Sequence, residues 1–461
     1  MEPDRGQLKD TLDLLLSTGA DFAEVFLERR TRLSLVWEDR RLDDASCGID
    51  AGVGLRIIHD DVTYYANGND QSPDAILSMA RGLATAVASS RRFTAQPFVE
   101  PPAPSRSTVL VPPECVDVET RLSLLRRADS AARACDPRVT QVTASLRDVE
   151  RRIAVANSEG TFATDTTCYV TMGVLVVARE GAVLRSGFDV KSETSGFELF
   201  DREPPEAIAL EAARVAVLQL TARPAPAGTF TVVLSSSAGG TMVHEACGHV
   251  FEGDFIQKGL SVYAGKLGQK VASGLVTVFD DGTIAQKRGT NRVDDEGTPV
   301  SKVILIENGV LRGFLHDRRS ARALGMRPTG NGRRESYRHL PAPRMRNTCI
   351  APGTTPAADI IRSVKEGIFV ANIGGGEVDI VAGNFVFLCS EAYRIRDGEI
   401  REAIRDATLT GNGPDILRSI DAVGDDLGFN VGNCGKDGQT VPVANAQPTI
   451  RIPAIVVGGT A

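Results

Sequence analysis

Residues 221–228 read TARPAPAG, and no regular element can run through them. Two prolines withhold backbone donors, and a closing glycine frees the chain just before the β-rich run TFTVVLSS, so the polypeptide must organise itself on either side. Its 461 residues point the same way, because one hydrophobic core seldom organises so many. We expect an α+β protein, with an N-terminal α/β domain over 1–225 and a β-rich, antiparallel C-terminal domain over 226–461.

In the first half, Leu8, Leu12, Leu15 and Leu16 recur at helical spacing, and Ala23 to Leu35 then reads as a strand. Gly52 to Ala66 predicts a further strand pair, residues 73–92 a helix, and the prolines between Pro97 and Pro113 an extended connector. A second helix is expected over 117–135, mostly β structure over 138–200, and a strong helix from Glu206 to Leu220. In the second half, Asp281-Gly282, Asn308-Gly309 and Asp397-Gly398 each predict a two-residue hairpin turn. Phe385 to Leu388 is apolar on both alternating faces and predicts a strand buried on both sides.

The net charge is -7, and no Lys/Arg stripe interleaves with aromatics, which argues against nucleic acid as a partner. The loose basic cluster from Arg312 to Arg334 reads as a solvated face or a groove for carboxylates. No segment offers about 18 uninterrupted apolar residues, and the N-terminus lacks a secretory pattern, so no membrane association and a cytoplasmic location are expected. Eight scattered cysteines then read as reduced thiols.

The chemistry concentrates in SSSAGGTMVHEACGHVFEGDF, Ser235 to Phe255. His244 and His249 offer neutral nitrogen ligands, and Glu245 beside the first can take a proton from water, which is what metal-assisted hydrolysis needs. A spacing of five sets the two rings roughly 140° apart on a regular α-helix. Either a one-residue π-bulge restores a common face or the pair does not chelate, and Gly248 makes local distortion cheaper. Candidates for a third ligand are Cys247, Cys434, His316, His339 and carboxylates such as Glu252. Cys434 stands out between glycines in what reads as a polar turn, where a thiolate would leave one coordination position open. Cys247 reads more readily as a packed helix residue, and His316 as a surface histidine. His339 lies in a long polar segment that suits either an active-site loop or a turn held by Arg-carboxylate pairs. Gly374 to Gly376 suggests close backbone approach to another strand or a ligand strand rather than phosphate binding.

HEACGHVFEGDF resembles the signature of the TldD/PmbA peptidase family, in its metal-bearing TldD branch. The similarity continues through DDEGTP (Asp294 to Pro299), PTGNGRRESYRHLPAPRM (Pro328 to Met345), GGGEVD (Gly374 to Asp379) and CGKDGQ (Cys434 to Gln439). The resemblance implies His244, His249 and Cys434 as ligands of one zinc ion per chain and Glu245 as catalytic base. It also implies a C-terminal domain enclosing the metal site, short or unfolded peptides as substrate, and a dimer around an internal cavity. The partner would be an identical chain or a metal-free family relative.

The expected activity is therefore zinc-dependent peptide hydrolysis. Arg333, Arg334, Tyr337 and His339 supply donor chemistry for substrate or its oxyanion, with no choice among them possible from sequence. The substrate is expected to bind as an added β-strand. Two other readings keep the residues and change the role: an assembly or regulatory protein with a structural metal, or a metal-dependent amidohydrolase of a small molecule.

Overall fold

The computed structural model describes residues 4–87, 91–103, 107–238, 240–379 and 381–459, with every side chain among them except those of Ala246 and Cys247. The first half is built on one antiparallel sheet of strands β1 (Phe22–Glu38), β2 (Arg41–His59), β3 (Val62–Gly68), β4 (Val139–Asn157), β5 (Phe162–Glu180) and β6 (Val183–Glu193), in the spatial order β3-β2-β1-β4-β5-β6. Period-two alternation decides its two faces. Along β4, Val142, Ala144 and Leu146 are buried in a core with the helices Val118–Cys135 and Pro205–Thr221. The intervening Ser145, Arg147, Val149 and Arg151 line a cavity on the opposite face, toward the second half of the chain.

The helix Arg5–Leu16 starts where the Asp4 carboxylate accepts the amides of Gly6 and Gln7, and it buries Leu8, Leu12, Leu15 and Leu16. Full burial of each leucine contributes about 2 kcal/mol. The predicted helix at 73 spans Pro73–Ala84 only. It ends as Thr85 and Ala86 donate to the carbonyls of Arg81 and Leu83; residues 88–90 lie outside the described residues.

The second half holds two larger sheets that share an apolar core including Val232, Val278, Phe387, Val441 and Ile452. Most pairings are antiparallel, although Asn347–Ile350 runs parallel to Gln439–Gln447 and Gly228–Leu234 parallel to Glu366–Val378. The α+β class expected from sequence is therefore observed. Asn308-Gly309 and Asp397-Gly398 make the predicted hairpins, with φ of 48° and 83° and of 50° and 76°. Asp281-Gly282 does not. The Asp281 carboxylate instead accepts from Thr283 N at 2.8 Å and Oγ1 at 2.6 Å, and this turn leads the chain away from the strand. The hairpin that matters for the site closes at Asp437-Gly438, joining Gly428–Lys436 to Gln439–Gln447.

The strand Asn384–Arg396 also departs from expectation. Phe385 and Phe387 are buried, but Val386 and Leu388 are 47% and 58% exposed, so one apolar face is left uncovered within this chain. Gly376 does meet a close neighbour, because a Cβ there would lie 2.1 Å from the Phe387 ring. Among the described residues, no helix is long and apolar enough to cross a membrane.

Candidate metal centre

Gly240 sets up the site. Its φ of +73° suits glycine, and a Cβ would lie 2.7 Å from the Ala446 backbone, so only glycine lets the chain turn there into Thr241–Val243. His244–Gly248 then forms a π-helical turn, the widening that a five-residue histidine spacing demands. The two imidazoles face one another at 5.3 Å between ring centres, nearly perpendicular. Gly248 contributes through packing rather than flexibility: its φ of -63° is ordinary, but a Cβ would overlap Met345 Sδ at 1.8 Å.

The third member comes from the far end of the chain. Cys434 is 1% exposed and lies within the strand Gly428–Lys436, two residues before the turn in which sequence reading placed it. The misreading has a simple origin, since flanking glycines mimic a turn while the side chains at 434 and 436 still alternate inward. Cys434 Sγ lies 3.6 Å from His249 Nε2, and one donor atom each from His244, His249 and Cys434 fall within 4.8 Å of one another. Burial opposes ionisation of the Cys434 thiol, yet His249 and His244 outweigh it and hold the group well below the usual thiol range.

This donor set fits zinc. Bonds of about 2.3 Å to sulfur and about 2.0–2.1 Å to nitrogen at a tetrahedral angle place S and N about 3.6 Å apart, the separation found here. His244 Nδ1 is buried and bonds to no described group.

Lys436, two residues beyond Cys434 on the same strand, reaches behind the site. Its ammonium donates to Glu252 at 2.9 Å, to Asp254 at 2.7 Å and to the Pro343 carbonyl at 3.2 Å. The same Glu252 oxygen lies 3.2 Å from His249 Nδ1. Burial would raise the Glu252 pKa, but Lys436 and His249 dominate and hold it down at about 2. An ionised Glu252 accepts a hydrogen bond from the Nδ1–H of His249, which leaves the Nε2 lone pair free to bind a cation beside Cys434.

Glu245 is half-buried, lines the same cleft as His244, and makes no hydrogen bond or ion pair with a described residue. The side chain of Cys247 lies outside the described residues. His316 is buried, not superficial: it is 2% exposed, its Nδ1 lies 3.3 Å from Ser320 Oγ, and it is not a member of the ligand cluster.

The four candidate substrate-binding residues have separate fates. Arg334 is 1% exposed and bonds to Glu24 of β1 at 2.5 Å. Tyr337 packs against Gly52 and bonds to Asp50 at 3.2 Å, so both fasten the second half to the first sheet. Arg333, also buried, donates to the carbonyls of Met345 and Pro442. These two arginines are thus not part of a solvated face. His339 is half-buried and pairs with Ser336 at 3.0 Å. Arg333 and Arg334 line one cavity, and neither lines the cleft around His244.

A two-part α+β fold that closes on a buried His/His/Cys centre, with a free carboxylate beside the first histidine, defines a metallopeptidase. The chain belongs to the PmbA/TldD metallopeptidase family. Sequence models of the PmbA/TldA metallopeptidase match residues 23–90 as domain 1, 111–220 as the central domain and 227–459 as the C-terminal domain. A Metalloprotease TldD homolog of Haemophilus influenzae is 38% identical over 98% of this chain and 96% of its own length. A Metalloprotease of Methanothermobacter thermautotrophicus is 34% identical over 95% and 96%. Among solved structures, TldE from Thermococcus kodakarensis superposes with a TM-score of 0.77 at 20% identity, covering 98% of this chain and 99% of that one. A Thermotoga maritima protein, described as a candidate modulator of a DNA gyrase, gives 0.79 at 22% identity over 95% and 96%. At those identities the likeness is one of fold.

Proposed function

We propose that the chain is a zinc-dependent peptidase that hydrolyses short or unfolded peptides, with zinc held by His244, His249 and Cys434 and with Glu245 as general base. The observation that carries this reading is the π-helical turn, which brings both imidazoles onto one side where Cys434 lies 3.6 Å from His249 and within 4.8 Å of His244. A zinc ion bound there supplies Lewis acidity, polarising the scissile carbonyl and lowering the pKa of water from 15.7 toward about 7.

The chain's own residues supply the rest. Glu245 accepts a proton as the water oxygen bonds to the carbonyl carbon, then delivers it to the amine nitrogen as the C–N bond breaks. Glu252 and Lys436 keep His249 in one tautomer throughout. The edge strands β6 and Gly428–Lys436 both line the cleft, so a peptide can add along either edge with its main chain, tolerating many side chains. Glu252 bonds through Oε2 to Lys436 and His249 and does not join the three converging donors, which favours catalysis over a structural metal.

A second copy of this chain, or a metal-free relative, is proposed to cover the uncovered face where Val386, Thr410 and Val456 form one cross-strand row. The seven cysteines with described side chains are free thiols, in keeping with a cytoplasmic setting.

Glu245→Gln should keep zinc near one ion per chain while abolishing most cleavage of an unfolded peptide. Cys434→Ser should lose the metal. Full turnover by Glu245→Gln, read by mass spectrometry of the digest, removes the proposed base.

A further inference from the structure

The sheet face turned toward the second half carries an unusual charge. Six arginines, Arg30, Arg147, Arg151, Arg288, Arg333 and Arg334, line one cavity of about 700 Å³ against only two carboxylates, Asp295 and Glu335. The whole chain, by contrast, has a net charge of -7. Three of the arginines are neutralised locally: Arg151 by Glu28 and Asp295, Arg334 by Glu24, and Arg30 by Glu28. Arg147, Arg288 and Arg333 have no carboxylate partner among the described residues. The Arg147 side chain is exposed and hydrogen-bonds to no described residue, that of Arg288 donates among them only to the Gly432 carbonyl at 3.3 Å, and Arg333 is spent on two carbonyls.

Like charges held together without counterions cost stability unless something compensates them. Burial lowers the pKa of Arg288; Tyr169 opposes this and Arg147, on the wall of the same cavity, adds to it. This cavity is also continuous with the catalytic cleft. Phe188 and Val190 of β6, with Val431, Gly432 and Asn433 of the strand that carries Cys434, line both.

We propose that the cavity is an anion subsite of the peptidase cleft, in which Arg147 and Arg288 bind a carboxylate of the substrate, either its terminal α-carboxylate or an acidic side chain. This rests on the peptidase reading and adds a specificity to it. Main-chain pairing along the strand edge tolerates any sequence, whereas a guanidinium pair holds carboxylate oxygens in a fixed geometry. A peptide lying across the metal centre and extending past Asn433 would carry its carboxylate into this cavity.

The test uses the zinc-loaded full chain and four peptides of one backbone: free acid or C-terminal amide, each with an internal Glu or Gln. Binding is read by fluorescence anisotropy on Glu245→Gln, and cleavage as kcat/KM on the otherwise unaltered chain. The expected result is a preference of about ten- to a hundredfold for one class of carboxylate over the neutral amide. The free-acid and the Glu peptides reveal which source the site takes. Arg147→Gln, at an exposed position, and Arg288→Gln should each erase that preference, bringing binding and kcat/KM of the favoured carboxylate peptide down to those of the neutral amide peptide measured on the same variant. Equal loss on all four peptides, or no preference in the unaltered chain, overturns the proposal. If no peptide is cleaved but carboxylate-dependent binding persists, the peptidase reading fails and the subsite stands.

Discussion

Lys436 Nζ and the Glu252 carboxylate, 184 residues apart in sequence, meet at 2.9 Å in the interior behind the metal centre, at 3% and 0% side-chain exposure. The pair is held by a simple pattern. Cys434 and Lys436 are alternate residues of one strand, His249 and Glu252 adjoin on one tight turn, and each strand side chain meets one member of the turn. A proposed ligand and its support thus arrive together from each side.

Glu252→Gln should therefore weaken zinc retention without removing a ligand. A neutral amide no longer favours the Nδ1 proton of His249 and leaves Lys436 with the Asp254 carboxylate and the Pro343 carbonyl. The loss expected is about 10–100-fold in metal affinity, measured by chelator competition on the folded variant. Unchanged affinity would show that the His249 tautomer is set by something else.

Gly248→Ala should cost about 1–3 kcal/mol, the usual penalty of overpacking, because the new methyl would sit 1.8 Å from Met345 Sδ in a fully buried setting. Combining it with Met345→Ala should cost less than the sum of the two single changes. Chemical denaturation of the three variants reads this coupling directly; strict additivity would place the two side chains in independent environments.

Five-residue histidine spacing left two outcomes open in the sequence, a π-bulge or a pair that does not chelate, because a shared ion is incompatible with a regular helix; the π-helical turn is the one found. Other features left no local trace. Arg333 and Arg334 read as part of a solvated face or a groove for carboxylates, and as donors to substrate, because the groups that absorb them, Glu24 and the carbonyls of Met345 and Pro442, lie elsewhere in the chain. The Lys436 to Glu252 pair is invisible for the same reason. In the strand Asn384–Arg396, two apolar faces announce that both will be covered, but not whether by this chain or another. Period-two alternation along β4 did carry the arginine-lined face, yet a charged alternate row looks identical whether it meets solvent or a cavity.

The halves of the chain are joined by a buried relay of charges. Arg56, opposite Glu24 in the β1/β2 register, donates to Glu24 and to Glu296, each at 2.6 Å, and Glu24 in turn accepts from Arg334. Arg56→Met would leave Glu296 without its ion-pair partner in the interior, at a cost of about 3–5 kcal/mol. Denaturant unfolding should show that loss. A change below about 1 kcal/mol would mean that water or Arg318 takes over the role of Arg56.

His316 offers a test through pH. Burial holds its pKa down at about 4, from an ordinary 6.5, so the folded chain keeps the ring neutral while the unfolded chain protonates it. Between those values the unfolded state binds more protons, and the contribution to stability, whole above pH 6.5, is lost as pH falls toward 4. Asp317 and Asp294 act oppositely: burial raises them to about 6 and about 7, so their contributions fade as pH rises. The pH profile of the unaltered chain mixes these trends. The difference between it and His316→Asn isolates the histidine, and that difference should shift in favour of the variant by up to about 3 kcal/mol between pH 7.5 and 4. Urea denaturation at several pH values measures it, and parallel profiles would mean that the ring takes up its proton without leaving the folded state.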